Sequence, residues 1–225
     1  MNRNEYDWLQ SVNVSCSIYS NILLYLYTLY TTPLTLYTIP RMKDNKLPQP
    51  KLQEDFDVTR YLGDWYELYR SKSICFEKGA DITARYGSDP EHPDRMTVTN
   101  LQTLDNGKID TITGYAVRKS SETPASDLIV RFNWFLRGKY KVIRTDYETY
   151  SIVYSSRSIL FGLIKREYCW VLARKREVIK DAELMDSIFK TILEETGMTK
   201  DEFIESKVSN SEVTETAAEV TDNSE

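Results

Sequence analysis

From Leu128 the chain alternates: Leu128, Val130, Phe132 and Trp134 fall on one face, with Ile129, Arg131, Asn133 and Phe135 between them. A period of two with the polar residues on one side is the pattern of a half-buried strand. Tyr168, Trp170 and Leu172 alternate in the same way with Cys169, Val171 and Ala173. Between Phe56 and Arg176 the pattern predicts eight strands, at 64–72, 80–86, 95–104, 109–118, 127–135, 140–145, 149–157 and 166–175. Turn chemistry separates them, in Asp89-Pro90, Asp105-Asn106-Gly107, Gly138 and the short link Asp146-Tyr147-Glu148. Strands this closely spaced, with no helix between them, point to an antiparallel barrel or sandwich. At the entry to the first strand, Gly63 permits a tight turn, and Trp65 is the bulkiest side chain available to plug a space.

After the last strand the period changes. Leu184, Met185, Ile188, Phe189, Ile192 and Leu193 recur at helical spacing, with Asp181 to cap the helix and Gly197 to stop it after Thr196. Such a stripe must cover something apolar, and the outer wall of the strand domain is the expected site. A short final strand is expected within 201–208. The chain therefore divides into three regions: a leader and linker at 1–51, a strand domain at 52–208, and an acidic tail at 209–225, expected to be disordered.

Composition narrows the partners. The net charge is −5, and Glu212, Glu215, Glu219, Asp222 and Glu225 lie in a tail without a basic residue. The remainder is close to neutral, which gives no case for a nucleic-acid partner. Cys16, Cys75 and Cys169 have no metal-binding spacing and allow at most one disulfide; neither metal nor cofactor is expected. No charged residue lies between Trp8 and Pro40. That stretch reads as a signal or anchor segment, as a disordered leader, or as sequence ahead of a start at Met42. The compartment stays open between secreted or membrane-associated and cytosolic.

Three motifs in order resemble the lipocalin family, most closely its bacterial lipocalin and apolipoprotein D branch. They are Gly63-Asp64-Trp65-Tyr66-Glu67, Thr145-Asp146-Tyr147-Glu148-Thr149-Tyr150, and Trp170-Val-Leu-Ala-Arg174. The resemblance covers about 55–208. It implies an all-β fold: an eight-stranded up-and-down antiparallel barrel with one C-terminal helix packed outside. Gly63, Trp65, Asp146 and Arg174 would then close the barrel, Arg174 lying over Trp65. Secreted members of this branch carry a cysteine just after the Tyr-Ser of the seventh strand; Tyr154-Ser155-Ser156 lacks it.

With Trp65 inside, the parity of the first strand turns Glu67 and Tyr69 to the cavity as well. By alternation and the family's parity, the expected lining adds Ile82, Ala84 and Tyr86, then Met96 and Val98, and then Leu128, Val130, Phe132 and Trp134. Tyr140, Val142 and Arg144 come next, with Ser151 and Val153, and finally Tyr168, Trp170 and Leu172. A greasy wall with a few placed polar groups suits an apolar ligand. Glu67 and Arg144 are expected either to pair or to leave Arg144 for a ligand carboxylate or phosphate. The function implied is non-enzymatic carriage or scavenging of a fatty acid, lysophospholipid or sterol by a monomer or homodimer. The apolar loop Ser158-Ile-Leu-Phe-Gly-Leu-Ile164 is expected to touch membranes. The alternative is a lipid-handling enzyme acting through Cys75. His92 sits in a Pro-Glu-His-Pro loop and suggests no general base.

Overall fold

In the computed structural model of the chain, residues 49–133, 137–159 and 164–209 are described. The chain enters along 49–56, where Gln53 exchanges backbone and side-chain hydrogen bonds with Val142, Ser126 and Thr145. A one-turn helix α1 (Val58–Tyr61) comes next, the Asp57 carboxylate accepting from Thr59 N and Arg60 N. Eight strands succeed it: β1 (Gly63–Ser71), β2 (Ala80–Ser88), β3 (Arg95–Thr103), β4 (Ile109–Arg118), β5 (Asp127–Arg131), β6 (Arg137–Thr145), β7 (Tyr150–Ile159) and β8 (Ile164–Ala173). Helix α2 (Ala182–Thr196) and a short strand β9 (Phe203–Glu205) complete the described fold.

Each strand pairs antiparallel with the next, and β1 pairs with both β8 and β2, so the sheet closes. This settles barrel against sandwich. The closure changes along β1: Gly63–Tyr66 pair with β2, whereas Tyr69–Ser71 pair with β9. The segment after β9 continues the seam, Ser206 N donating to Leu68 O and Asp81 N to Lys207 O. The C-terminal strand is therefore part of the wall.

Alternation divides the apolar side chains into two cores. The inner one joins Trp65, Tyr86, Met96, Val98, Ala116, Leu128, Val130, Val142, Val153 and Leu172. The outer one joins Ile152, Tyr154, Cys169, Val171 and Ala173 with Met185, Ile188, Phe189 and Ile192 of α2. The helix thus covers the wall as its stripe predicts, capped by Asp181 and stopped at Gly197 with φ 77°. Leu193 departs from the expected stripe: it is 48% exposed. Its place falls at the edge of the helical face that meets the wall.

Two register shifts alter the expected lining. On β1, Glu67 opposes Leu172 and Tyr69 opposes Val171, so Leu68 is the extra residue of a bulge. On β6, Val142 opposes Val153 and Arg144 opposes Ile152, with Ile143 extra. A bulge inserts one residue and so reverses the inside–outside parity beyond it. Leu68 and Ile143 both drop into the core beneath α2. The residue after each, Tyr69 or Arg144, then points outward too.

Candidate ligand cavity

At one end the barrel is sealed. Trp65 is fully buried, its indole N–H donating to Tyr61 O at 2.9 Å. The Tyr61 ring stacks on it at 4.9 Å and touches Phe56, which in turn meets Tyr147. On the other side the Arg174 guanidinium lies 3.9 Å from the centre of a Trp65 ring. It also donates to the carbonyls of Tyr147, Asp64 and Arg60 at 2.9–3.0 Å. Gly63 has φ 98°, and a Cβ there would come 3.1 Å from that guanidinium. Asp146 Oδ1 accepts from the backbone N–H groups of Glu148, Thr149 and Tyr150, which holds the β6–β7 turn. These residues form the floor.

Above the floor runs a chain of hydroxyls: Ser151 to Tyr61 at 2.9 Å, Tyr61 to Tyr140 at 2.9 Å, and Tyr140 to Tyr86 at 2.7 Å. Burial pushes the Tyr61 phenol up to about 12, and Tyr86 and Tyr140 are raised well above their ordinary value for the same reason. Each stays protonated at neutral pH. Four hydroxyl protons serve three links, so one proton is left over.

Higher in the barrel the inner wall retains some exposure. Ala84, Phe132, Tyr140 and Trp170 pack on the inner core yet are only partly buried. Tyr168 shares the inward register of Trp170, their rings 6.3 Å apart, and Phe76 from the β1–β2 loop meets Tyr168 at 6.0 Å. A pocket of about 400 Å³ lies at the β5–β6 end, lined by Tyr115, Arg131, Phe132, Asn133 and Arg137.

Glu67 faces inward as expected, but its partner is Arg70. The guanidinium donates to Glu67 Oε1 at 2.7 Å, and both side chains are almost wholly buried. The β1 bulge brings Arg70 inside, opposite Trp170, and sends Tyr69 outside, where it meets Phe189 of α2 at 5.2 Å. Tyr69 is therefore corrected from a lining residue to part of the helix contact. Arg144 is corrected as well: it is exposed on the outer face, opposite Ile152, and does not meet Glu67. Ser206 donates to Glu67 from the C-terminal seam. Glu77 reaches the same cluster from the β1–β2 loop, its carboxylate accepting from Trp170 Nε1 at 3.0 Å. Burial, then the neighbouring Glu67 carboxyl, holds the Glu77 pKa well above the usual carboxylate range.

Most of the other expected lining residues do face inward: Tyr86, Met96, Val98, Leu128, Val130, Phe132, Tyr140, Val142, Val153, Trp170 and Leu172 all belong to or pack on the inner core. Trp134, the loop residues 160–163, the leader to residue 48 and the tail from 210 lie outside the described residues. Strand alternation gave no sign of Tyr61, Arg70, Glu77, Ala116 or Ser206 at the cavity. Asp57 ahead of Val58 is a helix-start signal that could have found the turn carrying Tyr61; nothing local announces Glu77. Cys75 is disulfide-bonded, so the thiol required by the enzymatic alternative is not available. Cys169 is buried and free, facing the α2 core. His92 sits 3.4 Å from Asp89 in an exposed turn. Among the described residues no His, Cys, Asp or Glu cluster is placed to hold a metal ion.

A closed eight-stranded barrel sealed by Gly-x-Trp and an overlying arginine, with one helix outside, defines a class. The family model described as a lipocalin-like domain matches residues 56–207. The chain belongs to the lipocalin family, which is known for binding small hydrophobic ligands. It is 38% identical to apolipoprotein D of Bos taurus over 130 residues, covering 57% of this chain and 66% of that protein. Similarity to apolipoprotein D of Macaca fascicularis is 37% over 134 residues, covering 59% and 68%. The Lazarillo protein of Schistocerca americana is 33% identical over 125 residues, covering 54% and 57%. The chain thus spans just under two thirds of the bovine protein. Among solved structures, insecticyanin of Manduca sexta superposes with a TM-score of 0.63 at 20% identity, covering 74% of this chain and 88% of its own. Lobster apocrustacyanin A1 gives 0.58 at 13%, covering 76% and 95%. These two share the fold.

Proposed function

We propose that this protein binds a small hydrophobic ligand, such as a fatty acid, lysophospholipid or sterol, inside the barrel and carries or scavenges it without chemical change. The carrying observation is the asymmetry of the inner wall: a fully packed floor at Trp65 and Tyr61, and partly exposed Ala84, Phe132, Tyr140 and Trp170 above it. An eight-stranded barrel has room for one small ligand. Removing an alkyl chain from water supplies about 0.8 kcal/mol per CH₂, and a preformed wall avoids much of the ordering cost of binding. The apolar loop around Leu160 and Phe161 suits a lip that collects lipid from a membrane surface. Among the described residues no helix is long and apolar enough to cross a membrane.

Titrating the full chain with the uncharged fluorescent probe N-phenyl-1-naphthylamine tests the reading. One saturable site, emptied by competing long-chain lipids, is the expected result. Absence of saturable uptake would refute it. Because Arg144 is exposed on the outer face, Arg144→Ala is expected to leave fatty-acid affinity unchanged.

A further inference from the structure

The Glu67–Arg70–Glu77 cluster is more than a structural ion pair, because one of its donors is left over. Arg70 is 4% exposed and faces inward opposite Trp170. Its Nη1 serves Glu67, while its buried Nε–H has no hydrogen-bond partner. Buried donors are nearly always matched, because leaving one unmade forfeits its hydration. Of the carboxyl oxygens nearby, Glu67 Oε1 also accepts from Ser206, and Glu77 Oε2 accepts from Trp170. An acceptor that comes and goes with the cavity's contents would satisfy it.

The charge around that donor restricts what the acceptor can be. Glu67 and Arg70 neutralise one another at 2.7 Å. Glu77 stands beside them as a second carboxyl group, its pKa raised by burial and by the Glu67 carboxyl. An anionic head arriving here would face two carboxyl groups and a guanidinium already matched by one of them. An uncharged oxygen would meet no such opposition.

We propose that Glu67, Arg70 and Glu77 form a head-group subsite in the cavity wall. It takes an uncharged oxygen acceptor (alcohol, ketone or ester carbonyl) on Arg70 Nε–H and disfavours a free carboxylate. The inference rests on the carrier reading above and sharpens it: the favoured cargo has a neutral oxygen at its polar end. Glu77 arrives on the β1–β2 loop, so the same contact joins the head-group site to the loop that borders it. Trp170, holding Glu77 by its indole N–H, is the positioning residue.

The test displaces N-phenyl-1-naphthylamine, which has no oxygen, from the full chain at pH 7 with 1-dodecanol, 2-dodecanone and sodium dodecanoate. The neutral pair is expected to compete at concentrations about ten-fold lower than dodecanoate. Arg70→Lys keeps a positive charge opposite Glu67 and removes the Nε–H; measured against the variant's own probe affinity, it should weaken the neutral pair about ten-fold. Glu77→Gln should narrow the discrimination against dodecanoate. If Arg70→Lys does not fold, Glu77→Gln decides, since an unchanged preference for dodecanol over dodecanoate overturns the subsite. Dodecanoate competing as well as dodecanol with the parent protein also overturns it, with the carrier reading intact. Failure of the parent to take up the probe would instead remove the carrier reading itself.

Discussion

Tyr61 offers the most direct test of how the barrel floor is held. Its ring is fully buried between Phe56 and Trp65, and its hydroxyl meets both Ser151 and Tyr140 at 2.9 Å. Tyr61→Phe keeps the ring stack and deletes the hydroxyl from the middle of the chain. Two hydrogen bonds are lost, at about 0.5–1.5 kcal/mol each, and Ser151, itself wholly buried, is left without this partner. Together these predict a loss of about 2–3 kcal/mol, or roughly 5–10 °C in Tm for a domain of this size. Urea denaturation of the parent, Tyr61→Phe, Ser151→Ala and the double variant measures the coupling. Because the double variant removes both partners, it is expected to be more stable than the two single losses would sum to, by about 1 kcal/mol or more. Strict additivity, or a Tyr61→Phe loss under about 0.5 kcal/mol, would refute the reasoning.

The same geometry sets several other outcomes. The raised Tyr61 pKa means that the unfolded chain gains from ionisation before the folded one does. Its contribution is full below about pH 10 and lost as pH rises towards about 12, which unfolding measured across that window would show. Arg174→Ala removes three carbonyl contacts and a cation–π contact of about 0.5–2 kcal/mol. A loss of about 2–4 kcal/mol in denaturant unfolding is expected; a loss below about 1 kcal/mol would contradict the closure role. Arg144→Ala, by contrast, should change stability by no more than about 0.5 kcal/mol. In liposome flotation, Leu160→Asp and Phe161→Asp should weaken membrane association, and indifference would remove the lip.

The eight strands were legible because alternation is local: each residue's inward or outward tendency is written by its own polarity and its neighbours two away. The inner set on β3, β5 and β7 came directly from it, from Met96 and Val98 to Val153. Helix α2 was equally plain, from its Asp181 cap to its Gly197 stop, both of which act within a few residues of the chain. Tyr69 and Arg144 were misread for one shared reason. In strict alternation, Leu68 and Ile143 shift nothing. Only the pairing of β1 with β8 and of β6 with β7 makes each an extra residue and reverses the facing of the positions beyond it.

The sequence alone determined that this chain makes a run of closely spaced antiparallel strands followed by one helix, and that most of the inward face is apolar. It also supplied the motifs that lead to the lipocalin family. The tertiary structure alone decided which charges enter the cavity. Arg70 came inside through a bulge defined by strands about a hundred residues apart, Glu77 through the path of a loop, and Ser206 through a C-terminal segment that fills the seam between β1 and β2. Such placements depend on partners far away in the chain. Local periodicity carries no information about them, because the pairings and contacts that place them exist only once distant parts of the chain have met.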